Sequence, residues 1–190
     1  MVGFSAKNRK ERKNKIGLTG FVLLFIFLTL FCPIVARNDF NATAKSQGQG
    51  FVLIETSSNR VLKAGNEHAR LPMASTTKIM TALIAIERLN LDDLVTIPKE
   101  AVGVEGSSIY LKLGEKISVL DLLYGLMLRS GNDSAMAIAI HTAGSVSKFV
   151  ELMNEKAKQL GLKNTSFKNP HGLSEKEHFT SAYDLALIAS

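Results

Sequence analysis

Two short constellations in this sequence could do chemistry. Ser75-Thr76-Thr77-Lys78 sets a hydroxyl and an amine three residues apart, which on a helix is one turn along one face. A serine becomes a nucleophile near neutral pH only when something takes its proton. A lysine can do so when burial or positive neighbours lower its own proton affinity. At the start of a helix the pair would also lie at the positive end of the dipole, where developing negative charge is stabilised. The second constellation, Ser130-Gly131-Asn132, places a hydroxyl and a carboxamide on a turn between two apolar helical stretches, free to project into a cleft.

Neither pattern is informative alone. With 16 Ser, 16 Lys and 11 Asn in 190 residues, chance supplies about one Ser-x-x-Lys and about one Ser-x-Asn. Each occurs twice. Ser145-Val146-Ser147-Lys148 is explained by helix capping and has no Ser-x-Asn after it. Ser57-Ser58-Asn59 is explained as turn chemistry between two strand-like runs. Ser75/Lys78 precedes Ser130/Asn132 by a stretch long enough to build a helical subdomain, and this order sets the two pairs apart.

The elements that must position these residues follow from period and punctuation. Phe51–Ile54 and Arg60–Lys63 read as a β-hairpin. Ala74 to Leu89 has Ile79, Leu83 and Ile86 at helical spacing behind Pro72. Val95–Ile97 and Ser108–Leu113 read as short strands. Ser118 and Asp121 form a capping box for a helix to about Arg129, whose leucines predict burial nearly all round. Further helices are expected over Ser134–Thr142, from Ser145 or Ser147 to Leu160 with a stop at Gly161, and from Ser181 onward. Residues 38–50 read as a polar linker. A chain that stops inside an apolar helix with no closing strands is expected to be truncated.

The net charge of +6 is unevenly spread. Residues 1–44 carry seven basic and two acidic side chains, the rest sixteen and fifteen, so the main domain is nearly neutral. A polyanion-binding face, and with it a nucleic-acid partner, is not supported. The basic run Lys7–Lys15, the apolar run Ile16–Phe31 and the small-x-small triplet Ala42-Thr43-Ala44 have the pattern of a secretory signal cleaved before Lys45. Ile34-Val35-Ala36 is a poorer second cleavage site. Retention as a membrane anchor is the alternative, since Ile16–Ala36 reaches the roughly 20 residues a bilayer needs. Either way residues 45–190 are expected outside the cytoplasm. Cys32 is the only cysteine, so the exported domain has no disulfide, and bulky Phe31 before it argues against lipid modification.

Pro72-Met-Ala-Ser-Thr-Thr-Lys-Ile-Met-Thr-Ala-Leu83, Asp121-Leu-Leu-Tyr-Gly-Leu-Met-Leu-Arg-Ser-Gly-Asn-Asp133 and Phe167-Lys-Asn-Pro-His-Gly-Leu173 closely resemble the serine D-alanyl-D-alanine carboxypeptidases, the low-molecular-mass penicillin-binding proteins of bacteria. The resemblance runs from about Phe51 to the end. It implies an α+β fold of the serine β-lactamase/penicillin-binding-protein (transpeptidase-like) type: an antiparallel sheet packed with helices, plus a helical subdomain carrying Ser130–Asn132. It implies that Ser75 attacks the penultimate D-alanine carbonyl of a peptidoglycan stem peptide, with Lys78 as general base, Ser130 as proton relay and Asn132 on the substrate amide. The Ser75 N–H would be half of an oxyanion hole, a device able to lower a barrier by roughly 3 kcal/mol. Penicillins and other β-lactams would be covalent inhibitors, and no cofactor or metal is implied.

The family's third motif, Lys-Thr-Gly, is absent; the nearest string, Lys63-Ala64-Gly65, is hairpin sequence. The fold is therefore expected to be incomplete at its C-terminus, and the chain alone to show weak activity or none. The rival activities are a β-lactamase, whose deacylating glutamate has no counterpart here, an endopeptidase or transpeptidase sharing every motif present, and penicillin or peptidoglycan binding without turnover. His68, His141, His171 and His178 match no metal-ligand spacing. His171, in Asn169-Pro170-His171-Gly172, is expected to be structural near the cleft. Asp133 is expected to compensate a helix dipole, and Met127, Met136 and Met153 to be core.

Overall fold

The computed structural model describes residues 49–190. The export signal expected over 1–44, with Cys32, lies outside them. Strands β1 (Phe51–Glu55) and β2 (Arg60–Gly65) form the expected hairpin, with Phe51 opposite Gly65 and an irregularity between Leu53 and Ile54. Asn59 takes the left-handed conformation (φ 54°) that lets the chain reverse. A 3-10 turn, Ala74–Thr76, leads into helix α1 (Thr77–Arg88). Strand β3 (Leu94–Thr96) pairs antiparallel with β4 (Lys116–Ser118). Helices α2 (Val119–Leu128), α3 (Asn132–Ala143), α4 (Val146–Gln159) and α5 (Ala182–Ala189) follow.

The caps explain the helix starts. Ser118, Ser145 and Ser181 each accept from the backbone N–H three residues on, at Asp121, Lys148 and Asp184. Gly144 closes α3 in the left-handed conformation, φ 78°.

Two apolar cores meet along α1 and α3. One gathers Ala82 and Ala85 of α1, Val95, Ile97, Leu111, the inner face of α2, and Ala135, Ala137 and Ile138 of α3. The other gathers Met73, Met80 and Ile84 with Ala139, Phe149, Met153, Phe167 and Ile188. The helix carrying Lys78 is therefore packed on opposite sides.

Several expectations are corrected. α1 is buried on two sides, through Ala82 and Ala85 on one and Met80 and Ile84 on the other, while Ile86 is exposed. α2 is not buried all round: Tyr124, Met127 and Leu128 are exposed, and Met127 is not core. Ser108–Leu113 is not a strand; its Ile109 and Leu111 N–H groups donate to the Asp133 carboxylate, and those of Tyr110 and Lys112 to the Ser108 and Glu115 side chains, instead of to a neighbouring strand. The strand that pairs with β3 is Lys116–Ser118, just before the α2 cap. Helix α3 begins at Asn132, two residues earlier than expected. No helix among the described residues is long and apolar enough to cross a membrane.

Candidate active site

Ser75 is exposed on the 3-10 turn that precedes α1, and Lys78 lies in the first turn of α1. The lysine is 2% exposed. Its Nζ donates to His171 O at 2.6 Å and to Asn132 Oδ1 at 2.7 Å, and lies 3.4 Å from Ser75 Oγ. Burial pulls its pKa down from 10.5 to about 8.

The number of bonds has a chemical consequence. An ammonium has three hydrogens and can serve all three neighbours. A neutral amine has two, and the two short bonds to carbonyl oxygens take them. The remaining tetrahedral direction, toward Ser75 Oγ, then holds the lone pair. The site thus presents a nearly buried amine with its basic electron pair facing an exposed hydroxyl, an arrangement able to take a proton from that hydroxyl.

Asn132 bridges two segments, accepting from Lys78 and donating its Nδ2 hydrogen to Glu105 O at 2.6 Å. Ser130 stands two residues earlier on the turn between α2 and α3, half-buried and with φ 55°. Its hydroxyl makes no hydrogen bond with any described residue. The structure therefore brings Ser75, Lys78 and Asn132 together directly, and Ser130 through its place on the Asn132 turn.

Three contributors are not apparent from sequence. The first is the 169–173 segment, tied to α1 by Thr81 Oγ1 donating to Pro170 O at 2.7 Å and by Lys78 donating to His171 O. The Asn169-Pro170-His171-Gly172 string flagged the segment, but a backbone carbonyl leaves no residue-type signal. The His171 ring, held near a pKa of about 4 by burial and by the Lys78 charge, accepts from Leu173 N–H. Its expected structural role fits these contacts. The second is Asp133, which does more than face a helix dipole. Its buried carboxylate accepts from Ser108 Oγ at 2.6 Å, from Ile109 N–H and Leu111 N–H, and from Ser134 N–H at 2.9 Å. It thereby fixes the 107–111 loop, whose Ser107 O accepts from Asn132 N–H at 2.7 Å. The third is His178, whose ring reaches Thr77 beside the turn that carries Ser75. His68 meets the Tyr183 ring at a tilt and His141 lies in the last turn of α3, so the four histidines do not converge.

Comparisons with known proteins bear on the family and the fold. Residues 37–190 match the family described as D-alanyl-D-alanine carboxypeptidase. The chain is similar to the D-alanyl-D-alanine carboxypeptidase DacF of Bacillus subtilis, 42% identical over 180 residues, covering 90% of this chain and 46% of that protein. It therefore spans about half the length of the curated relatives it matches. Among solved structures, the D-alanyl-D-alanine carboxypeptidase DacD of Francisella tularensis superposes with a TM-score of 0.73 at 36% identity, covering 78% of this chain and 37% of that one. Penicillin binding protein 6B of Escherichia coli does so with a TM-score of 0.71 at 38% identity, covering 75% and 48%. The α+β fold expected from the sequence is the fold of these structures.

Proposed function

The chain belongs to the D-alanyl-D-alanine carboxypeptidase family, and on that premise we propose that its protein is an exported serine carboxypeptidase of the bacterial cell envelope, acting on peptidoglycan stem peptides that end in D-alanyl-D-alanine. The observation that carries the reading is the convergence of Ser75 Oγ and two carbonyl oxygens on the buried Lys78 amine. Neutral Lys78 takes the Ser75 proton as Oγ attacks the carbonyl carbon of the penultimate D-alanine. The tetrahedral adduct collapses, the C–N bond breaks, and the proton passes by way of Ser130 to the leaving amine, releasing D-alanine. Water then attacks the ester carbon, its proton returns along the same groups, and Ser75 is regenerated. Asn132, next to the attacked bond, holds both the base and the substrate amide. A penicillin enters the same first step, but its leaving nitrogen stays tethered in the acyl product, which makes it an inhibitor and a convenient probe.

The full 190-residue chain and its Ser75→Ala variant are treated with a fluorescent penicillin, and the adduct is located by mass spectrometry. A peptide ending in D-alanyl-D-alanine is assayed in parallel for free D-alanine. Ser75-dependent labelling is expected. Labelling with release of D-alanine supports the carboxypeptidase; labelling without release leaves a penicillin-binding protein that does not turn over. A folded chain that does not label, or labels equally in the variant, removes Ser75 as nucleophile.

A further inference from the structure

The turn that presents Ser75 contains an uncommon conformation. Ala74 has φ 43°, a left-handed backbone in a residue with a Cβ, which persists only where its surroundings enforce it. Gly172 packs directly on the Ala74 carbonyl, at φ 92° and with no room for a side-chain carbon. The carbonyl itself accepts from Thr77 Oγ1 at 2.8 Å.

The direction of that last bond is set from farther away. Lys168 N–H donates to His178 Nδ1 at 3.0 Å, so the ring's hydrogen belongs on Nε2. Nε2 lies 2.8 Å from Thr77 Oγ1 and must donate to it. The threonine, now an acceptor from histidine, has one hydrogen left, and it goes to Ala74 O. The chain from Lys168 through His178 and Thr77 to Ala74 thus runs in one direction only. His178 and Thr77 are both buried, and burial lowers the pKa of His178, which favours the neutral ring that this chain requires. Glu175 acts on the ring the other way, while His171 and Lys78 lie nearby on the adjoining loop and helix. The segment is itself pinned on both sides, Phe179 pairing with Ser166 and Thr180 with Leu71.

We propose that His178 is a positioning residue for acylation: by donating to Thr77 it directs the Thr77 hydrogen onto Ala74 O and holds the left-handed turn that aims Ser75. The proposal rests on Ser75 being the nucleophile. Among the described residues His178 makes no hydrogen bond to Ser75 or Lys78; its bonded link to the Ser75 turn is Thr77.

The test measures, in the full chain, the acylation rate constant with a fluorescent penicillin apart from the initial non-covalent affinity. His178→Phe removes both ring bonds, and Thr77→Val removes the hydroxyl. His178→Gln can supply an acceptor to Lys168 and a donor to Thr77, and Thr77→Ser keeps the hydroxyl. The Phe and Val variants are expected to slow acylation about tenfold or more with affinity little changed. The double variant should be no slower than Thr77→Val, because the two residues act as one unit. The Gln and Ser variants should recover to within about threefold of wild type. A folded His178→Phe within threefold of wild type, additive effects in the double variant, or His178→Gln as slow as His178→Phe would each overturn the proposal. If His178→Phe does not fold, Val against Ser at position 77 decides the matter: equal rates overturn it. Wild-type chain that is not labelled at Ser75 overturns the catalytic reading and this inference together, whereas labelled wild type with an indifferent His178 overturns this inference alone.

Discussion

Lys78 titrates near 8 because its folded environment excludes water, not because a positive neighbour repels its proton. The sign of the pH effect follows. In the proposed reaction the free amine is the active form, and its fraction falls as pH drops below about 8, so acylation of Ser75 should fall about tenfold per pH unit on that limb and level off above it. Lys78→Arg, which stays charged, should lose about a hundredfold or more and show no such limb. Asn132→Asp sets a carboxylate where the neutral Oδ1 accepts from Lys78, which favours the ammonium. The midpoint of its acylation–pH profile should therefore move above 8, and a midpoint unmoved or lowered would contradict this account of the base. At this scale the meeting of Ser75, Lys78 and Asn132 was legible because residue type, spacing and order single them out. Thr77 and His178 were not: they are 101 positions apart, and nothing periodic links a threonine to a distant ring.

Elements were legible where their punctuation is local and illegible where a distant side chain replaces a partner strand. The serine caps of α2, α4 and α5 are readable because cap and capped donor lie three residues apart. Ser108–Leu113 has strand-like composition, yet Asp133 draws its donors into a loop. Asp133→Ala would leave those buried N–H groups and the Ser108 hydroxyl without their acceptor, a loss of about 3 kcal/mol in stability. Urea unfolding followed by circular dichroism measures it. The loop holds Asn132 through Ser107 O, so acylation should slow in the same variant even under conditions where it stays folded. A change below about 1 kcal/mol would show that the loop holds its shape without the carboxylate.

At the scale of the molecule, the two cores share α1 and α3, so neither can loosen without disturbing the helix that carries Lys78. Phe149 lies wholly buried in the core farther from Asn132, and Phe149→Ala should cost about 3–5 kcal/mol. Because the cores are joined, loss of far-UV signal and loss of penicillin labelling should occur at the same urea concentration in wild type and variant alike. Labelling lost well before the helices melt would instead make the site a separately unfolding unit. The neutral main domain and basic first 44 residues were readable from charge placement alone. How α1 sits between two cores was not, since its small residues carry no strong apolar period.

The polar partners of the Lys78 amine come from positions 75, 132 and 171, and the turn beneath Ser75 is braced from 178. During synthesis, then, the serine emerges from the ribosome about a hundred residues ahead of the last group that makes it reactive. Until the later segments arrive and fold back, Ser75 is an alcohol like any other and Lys78 a charged, hydrated lysine. If Ser75 is the nucleophile, an unfolded chain should consequently be blind to penicillin. On the proposed function, the moment at which a growing or refolding chain first takes up the drug would mark the folding-back of these segments, and the antibiotic would serve as a clock for folding.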